Sequence, residues 1–230
     1  MKRIKVGERL LCASRFVRQG AYFADIGTDH AYLPVFLLLE GVISRAVCSD
    51  INEGPLETAR KNAEEYGVTE RIKFLLTDGA EALSGMGITD YAICGMGGEL
   101  IADIIERAPH LRDTGVRLIL QPMSREGTLR RYLAERGFST VGESYSYDAG
   151  KYYVAMAVEY TGDVREISDY EAELGNIERY LSGSEAVGYL GKRLSALERA
   201  SAGKTQGGED NSYEESVIRE AKEIMKGFLK

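Results

Sequence analysis

Residues 23–34 read FADIGTDHAYLP. An apolar run, Phe23 to Ile26, breaks at Gly27, and Pro34 follows at the head of a second apolar stretch. This is the pattern of a strand turning sharply into a helix, with Pro34 near the helix start, where its missing N–H does no harm. The unit then recurs: apolar runs end at AVCSD (46–50), IKFLLTDG (72–79), YAICG (91–95) and RLILQ (117–121), with helical signals between them. Pro55 opens one such helix, in which Leu56, Ala59, Ala63 and Tyr66 share a face. Gly67 follows it as a C-cap, and Gly137 plays that part after LRRYLAER. Strands alternating with helices at this spacing require crossovers, so the expected fold is α/β, a doubly wound, mainly parallel sheet. FSTVGESYSY (138–147) and KYYVAMAVEY (151–160) meet through Asp148–Gly150 and predict an antiparallel pair at the sheet edge.

After Tyr160 the strand signals stop. Val187, Leu190, Leu194 and Leu197 recur at helical spacing, as do Val217, Ala221, Ile224 and Phe228. Between them AGKTQGGEDNS (202–212) reads as a flexible loop. The expected organisation is one α/β domain over 1–160 and a small helical, coiled-coil-like appendage over 161–230. Of the 230 residues 44% are hydrophobic and 28% charged, which is globular usage rather than disorder. No apolar run approaches the roughly 20 residues of a membrane-spanning helix. MKRIKVGERL lacks an apolar signal region, and three irregularly spaced cysteines form no disulfide framework, so a reducing cytoplasm is the expected setting. The formal charge of −7 is uneven: residues 1–20 carry six basic side chains against Glu8 alone, leaving −12 on the remainder. A basic arm on an acidic body suits local phosphate contact; the plain alternative is a solvated helix face.

In an open parallel sheet, ligands bind beyond the carboxyl ends of the strands where strand order switches. Asp25 and Gly27 fall there. The loop is not a dinucleotide fingerprint, because Asp29 and His30 stand where glycines would be needed. Carboxylates beside it would repel a pyrophosphate and suit a cationic cofactor, which favours S-adenosyl-L-methionine over NAD. Asp50 ends the second strand, about 25 residues on, where an acid can bind ribose hydroxyls. Asp78-Gly79 ends the third, placed for an adenine edge. Each acid alone also reads as a helix cap or turn residue; three in series point to an adenosine-containing cofactor. Gly95-Met96-Gly97-Gly98 lets main chain approach a reacting group closely, and Gln121 can offer both donor and acceptor to a base edge. Cys94 reads as a buried apolar residue rather than a nucleophile. Only His30 and His110 occur in the chain, and no metal set is expected.

DIGTDHAYLP, DGAEAL, ICGMGGELI, LILQPM and YDAGKYY, in that order over residues 1 to about 160, resemble the bacterial tRNA (adenine-22-N1)-methyltransferase family (TrmK-like). The resemblance implies a Rossmann-like class I methyltransferase, S-adenosyl-L-methionine as donor and a tRNA adenine as acceptor. By motif match it implies cofactor contacts from Asp25, Gly27, Thr28, His30, Asp50, Ile51, Asp78, Gly79, Gly95, Met96 and Gly97. Asp29, His30, Met96 and Gln121 are the candidate catalytic residues. Asp29 is expected to stabilise developing positive charge, and His30 to orient the base or take a late proton. Lys2, Arg3, Lys5, Arg9 and Lys151 are the candidate RNA contacts. Tyr32, Tyr145, Tyr147, Tyr152 and Tyr153 either stack an extruded base or fill sheet faces. A monomer or weak dimer is expected. The competing readings are a methyltransferase with a small-molecule acceptor and a non-catalytic RNA-binding protein that keeps the cofactor pocket.

Overall fold

The computed structural model describes residues 4–228. Lys2 and Arg3, and the side chain of Phe228 on the tail stripe, lie outside the described residues. Helix α1 (Glu8–Ser14) leads into β1 (Tyr22–Ile26), α2 (Tyr32–Leu39), β2 (Arg45–Asp50), α3 (Glu53–Glu65) and β3 (Ile72–Leu76). Then follow β4 (Asp90–Gly97), α4 (Gly98–Arg107), β5 (Arg117–Ser124), α5 (Glu126–Glu135), β6 (Phe138–Asp148) and β7 (Lys151–Tyr160). The seven strands form one sheet in the order β3-β2-β1-β4-β5-β7-β6. β1 to β5 run parallel, and β7 is antiparallel to both its neighbours.

The expected antiparallel pair is present, and its two strands have distinct places. The last strand, β7, inserts between β5 and β6, leaving β6 at the edge. Burial explains the choice: Val154 to Val158 of β7 are buried without a break, as an interior strand requires, whereas β6 carries Val141, which is 51% exposed.

Alternation along the strands divides the core into two layers. Phe23, Ala46, Ala92 and Ile119 face α1, α2 and α3. Ala24, Val47, Ile93, Leu118 and Leu120 face α4, α5 and the tail helices α6 (Asp169–Leu174), α7 (Ser184–Gly207) and α8 (Ser212–Phe228). Tyr189, Leu190, Leu194 and Leu197 of α7 and Val217 and Ala221 of α8 belong to this second layer, while Val187 points outward at 50% exposure. The expected loop over 202–212 is shorter in fact. α7 continues through Gly207, because α8 folds back along it and supplies partners: Lys204 pairs with Glu214 at 2.9 Å, and Asn211 donates to the Ser201 hydroxyl at 3.0 Å.

One buried ion pair ties the tail to the sheet. Arg130 of α5 and Glu143 of β6 meet at 2.9 Å with side chains 4% and 2% exposed. Arg130 also donates to the main-chain oxygens of Ala172 and Glu173, while Glu143 accepts from the Tyr145 hydroxyl and from Asn176 N. Gly175, at φ +63°, passes so close that a side chain there would strike the Glu143 carboxylate.

Candidate active site

β1 lies inside the sheet, hydrogen-bonded to β2 on one side and β4 on the other, so strand order reverses beside it. The chain leaves β1 at Gly27, whose φ of +74° suits glycine. The N–H groups of Gly27 and Thr28 both donate to Ser49 O at 2.8 Å, which holds the loop against the end of β2. Thr28 is buried, and its hydroxyl donates to the Asp25 carboxylate. Asp25 is itself buried at 9% exposure. Burial pushes its carboxyl up to about 6, and nearby Asp50 adds to this; the Thr28 hydroxyl and the Arg9 guanidinium act in the opposite direction.

A cleft of about 320 Å³ opens above this point, lined from β1 and its loop by Asp25, Gly27, Asp29, His30 and Tyr32, and from β4 by Cys94 and Gly95. Arg9 and Leu10 of α1 close it from a third side. His30 stacks on Tyr32, with centroids 5.0 Å apart and planes 11° from parallel, and its Nε2 lies 3.1 Å from Asp29 Oδ2. Asn62 of α3 donates to the His30 main-chain oxygen at 2.9 Å. On the other wall the pairing of β4 with β5 slips on either side of Met96, and Gly95 takes φ +81°. Gly95 N donates to Gln121 Oε1 at 3.2 Å.

The family described as Methyltransferase domain matches residues 6–156. A Bacillus subtilis relative named tRNA (adenine(22)-N(1))-methyltransferase is 32% identical over 198 residues, 86% of this chain and 79% of the relative. The chain belongs to the tRNA (adenine(22)-N(1))-methyltransferase family. A candidate tRNA (m1A22) methyltransferase from Streptococcus pneumoniae, crystallised with S-adenosyl-L-methionine, superposes with a TM-score of 0.82 at 34% identity, covering 96% of this chain and 99% of that one. The B. subtilis M1A22 tRNA methyltransferase TrmK superposes with a TM-score of 0.79 at 25% identity, covering 99% and 100%.

Within this methyltransferase fold the residues singled out from the sequence part into groups. Asp25, Gly27, Asp29, His30 and Gly95 line one cleft, with Thr28 bonded to Asp25 beneath it. Asp50 lies close enough to disfavour charge on Asp25, and its Oδ1 accepts from Asn52 N at 2.7 Å; Ile51 beside it is 63% exposed. Met96 does not line the cleft: its methyl end lies over Gly27, 2.0 Å from where a Cβ would project. Gly97 faces Ser124 of β5.

Other expectations also require correction. Gln121 does not present its amide to a ligand. It is fully buried, with Oε1 accepting from Gly95 N and Arg9 and Nε2 donating to Pro122 O at 2.8 Å, so it shapes the wall from behind. Asp78 is not a free acceptor beside the cleft. Arg107 of α4 holds both its oxygens, at 3.1 and 3.2 Å, and the same guanidinium lies against Gly79. Arg9 does not reach outward as an RNA contact but turns into the cleft. Nor is the basic segment a uniform cationic face, because Arg18 is bound to buried Asp90; Lys5 and Arg15 remain exposed. Lys151 lines a different cavity, beyond β5.

Burial pushes the Cys94 thiol far up, which disfavours the thiolate that a nucleophile needs. No group of three or more potential metal ligands occurs among the described residues. No helix among them is long and apolar enough to cross a membrane. Arg9's place in the site was missed from sequence because its neighbours there, Asp25, Gly95 and Gln121, come from distant strands, and local pattern carries no trace of them.

Proposed function

We propose that this chain transfers the methyl group of S-adenosyl-L-methionine to N1 of an adenine in tRNA, at position 22. The observation that carries the reading is the placing of Asp25 and Arg9 on one cleft at the reversal of strand order. The cofactor's amino-acid end bears an ammonium and a carboxylate, and this pair offers each its opposite charge. Gly27 lets the loop pass close to Met96, since any side chain there would strike it. Asp50 is assigned to the ribose side, flanked by the exposed Ile51.

When bound, S-adenosyl-L-methionine supplies an electrophilic methyl group on a sulfonium. Adenine N1 carries an in-plane lone pair, so no proton has to leave before attack. The N–C bond forms as the S–C bond breaks, and positive charge passes to the base. Asp29 supplies the negative charge that favours this displacement. The His30–Tyr32 stack offers the adenine a flat wall, and its contacts to Asp29 and Asn62 hold it in place. Alignment of this kind can contribute about 7–11 kcal/mol. N1 lies on the pairing edge, so the base must enter unpaired, at a cost of a few kcal/mol.

The chain should therefore meet tRNA in the cytoplasm, as a monomer or weak dimer. Residues 1–160 form the catalytic unit, and 161–230 are a helical element built onto its sheet. The test is incubation with methyl-labelled cofactor and an unmodified transcript, followed by mass-spectrometric mapping. 1-Methyladenosine at nucleotide 22 is expected. Equal labelling of a transcript carrying guanosine at that position, or labelling of no RNA, would overturn the reading.

A further inference from the structure

The largest cleft among those described is not the one at β1. About 630 Å³ opens between the β6–β7 turn and α7, within the range of small-ligand sites. Tyr147 and Tyr152 stand on one wall with ring centroids 4.7 Å apart, and Tyr147 is 52% exposed. Lys151 on the turn and Lys192 on α7 flank them, both exposed and without an ion-pair partner among the described residues. The floor includes Tyr189, 2% exposed, whose hydroxyl has no hydrogen-bond partner, and Arg193, whose Nε also lacks one.

The shape is built rather than incidental. Gly188 of α7 is the residue that admits the Tyr152 ring, since a Cβ there would lie 2.3 Å from its Cζ. The turn that borders this cleft also holds the helix that closes the first, through Arg9. Asp148 accepts from Arg9 N at 3.1 Å on one side, while Gly150 and Lys151 line the second cleft on the other. The two clefts thus open at the same end of the sheet, at the carboxyl ends of the parallel strands, and are linked through Asp148 and Arg9.

We propose that this second cleft is an RNA subsite taking one unstacked nucleotide that flanks the target adenine. Its base lies against Tyr147 and Tyr152, and its phosphate is held between Lys151 and Lys192. The exposed Tyr147 face suits any base, and the lysines suit the backbone, so the subsite reads an extruded strand rather than a sequence. The proposal rests on the reading of tRNA as substrate and adds where the strand goes after the reacting base.

The experiment measures the binding of a fluorescent unmodified tRNA transcript by anisotropy at several salt concentrations, for wild type and two surface variants, alongside methyl incorporation by the wild type. Tyr147→Ala should weaken transcript binding about tenfold. Lys192→Ala should lower the salt slope by about one. Calorimetry should show unchanged S-adenosyl-L-methionine affinity in both. Transcript binding and slope equal to wild type in both variants would overturn the subsite. Methyl incorporation scores the catalytic reading separately: a wild type that binds through this cleft yet labels no RNA keeps the subsite and loses the reaction. A wild type that labels nucleotide 22 while the variants bind normally does the reverse.

Discussion

Arg9, on the first helix, donates to the side-chain oxygen of Gln121, fully buried on β5 and 112 residues away. That bond turns a side chain that resembles a phosphate contact into part of the cleft at β1. If Arg9 meets the carboxylate of S-adenosyl-L-methionine, Arg9→Met should weaken cofactor binding about tenfold, the worth of one charged hydrogen bond. Titration calorimetry with the cofactor and its demethylated product should show the same loss for both. An unchanged affinity would return Arg9 to a purely structural role.

Asp25 sets a pH dependence. Burial raises its carboxyl from 3.8 to about 6, so the folded chain holds a proton there that the unfolded chain releases earlier. Stability from this group is complete below about pH 4 and is lost as pH rises through 6, by up to about 3 kcal/mol. Cofactor affinity should run the other way, because only the ionised carboxylate attracts an ammonium. Binding at pH 5 should be roughly tenfold weaker than at pH 7.5, one decade per pH unit below the pKa. Asp25→Asn should bind weakly and lose this dependence.

The Arg130–Glu143 pair predicts a stability effect distant from the cleft. Arg130→Met leaves a buried carboxylate without its cation and should destabilise by about 3–5 kcal/mol. For a chain of this size that lowers Tm by on the order of 10 °C. Replacing Glu143 with Met as well should recover part of the loss, which thermal melts of the single and double variants would show.

Cys94 lines the cleft yet is held protonated by burial. Cys94→Ala should keep most of the methyl-transfer rate, and iodoacetamide should leave the wild-type thiol unmodified under native conditions. Loss of activity by a factor of a hundred would instead make it a participant.

Much was legible in the sequence because it depends on near neighbours. Short continuous apolar runs mark β1 to β5, as strands buried on both faces require. Pro34, Pro55, Gly67 and Gly137 fall where the helices begin and end. Asp25, Gly27, Asp29 and His30 lie within six residues, so once β1 and its turn form, they must share one loop. The slot taken by β7 was not legible, because it depends on which strand is buried on both faces after assembly. The continuation of α7 through 202–207 was hidden for a related reason: that polar segment is helical because α8 lies alongside it. Arg9 against Asp25 and Gln121, and Arg107 on Asp78, bring together charges far apart in the chain. Local propensity and periodicity act over a few residues, whereas the pairing of these charges waits until the fold has brought distant segments together.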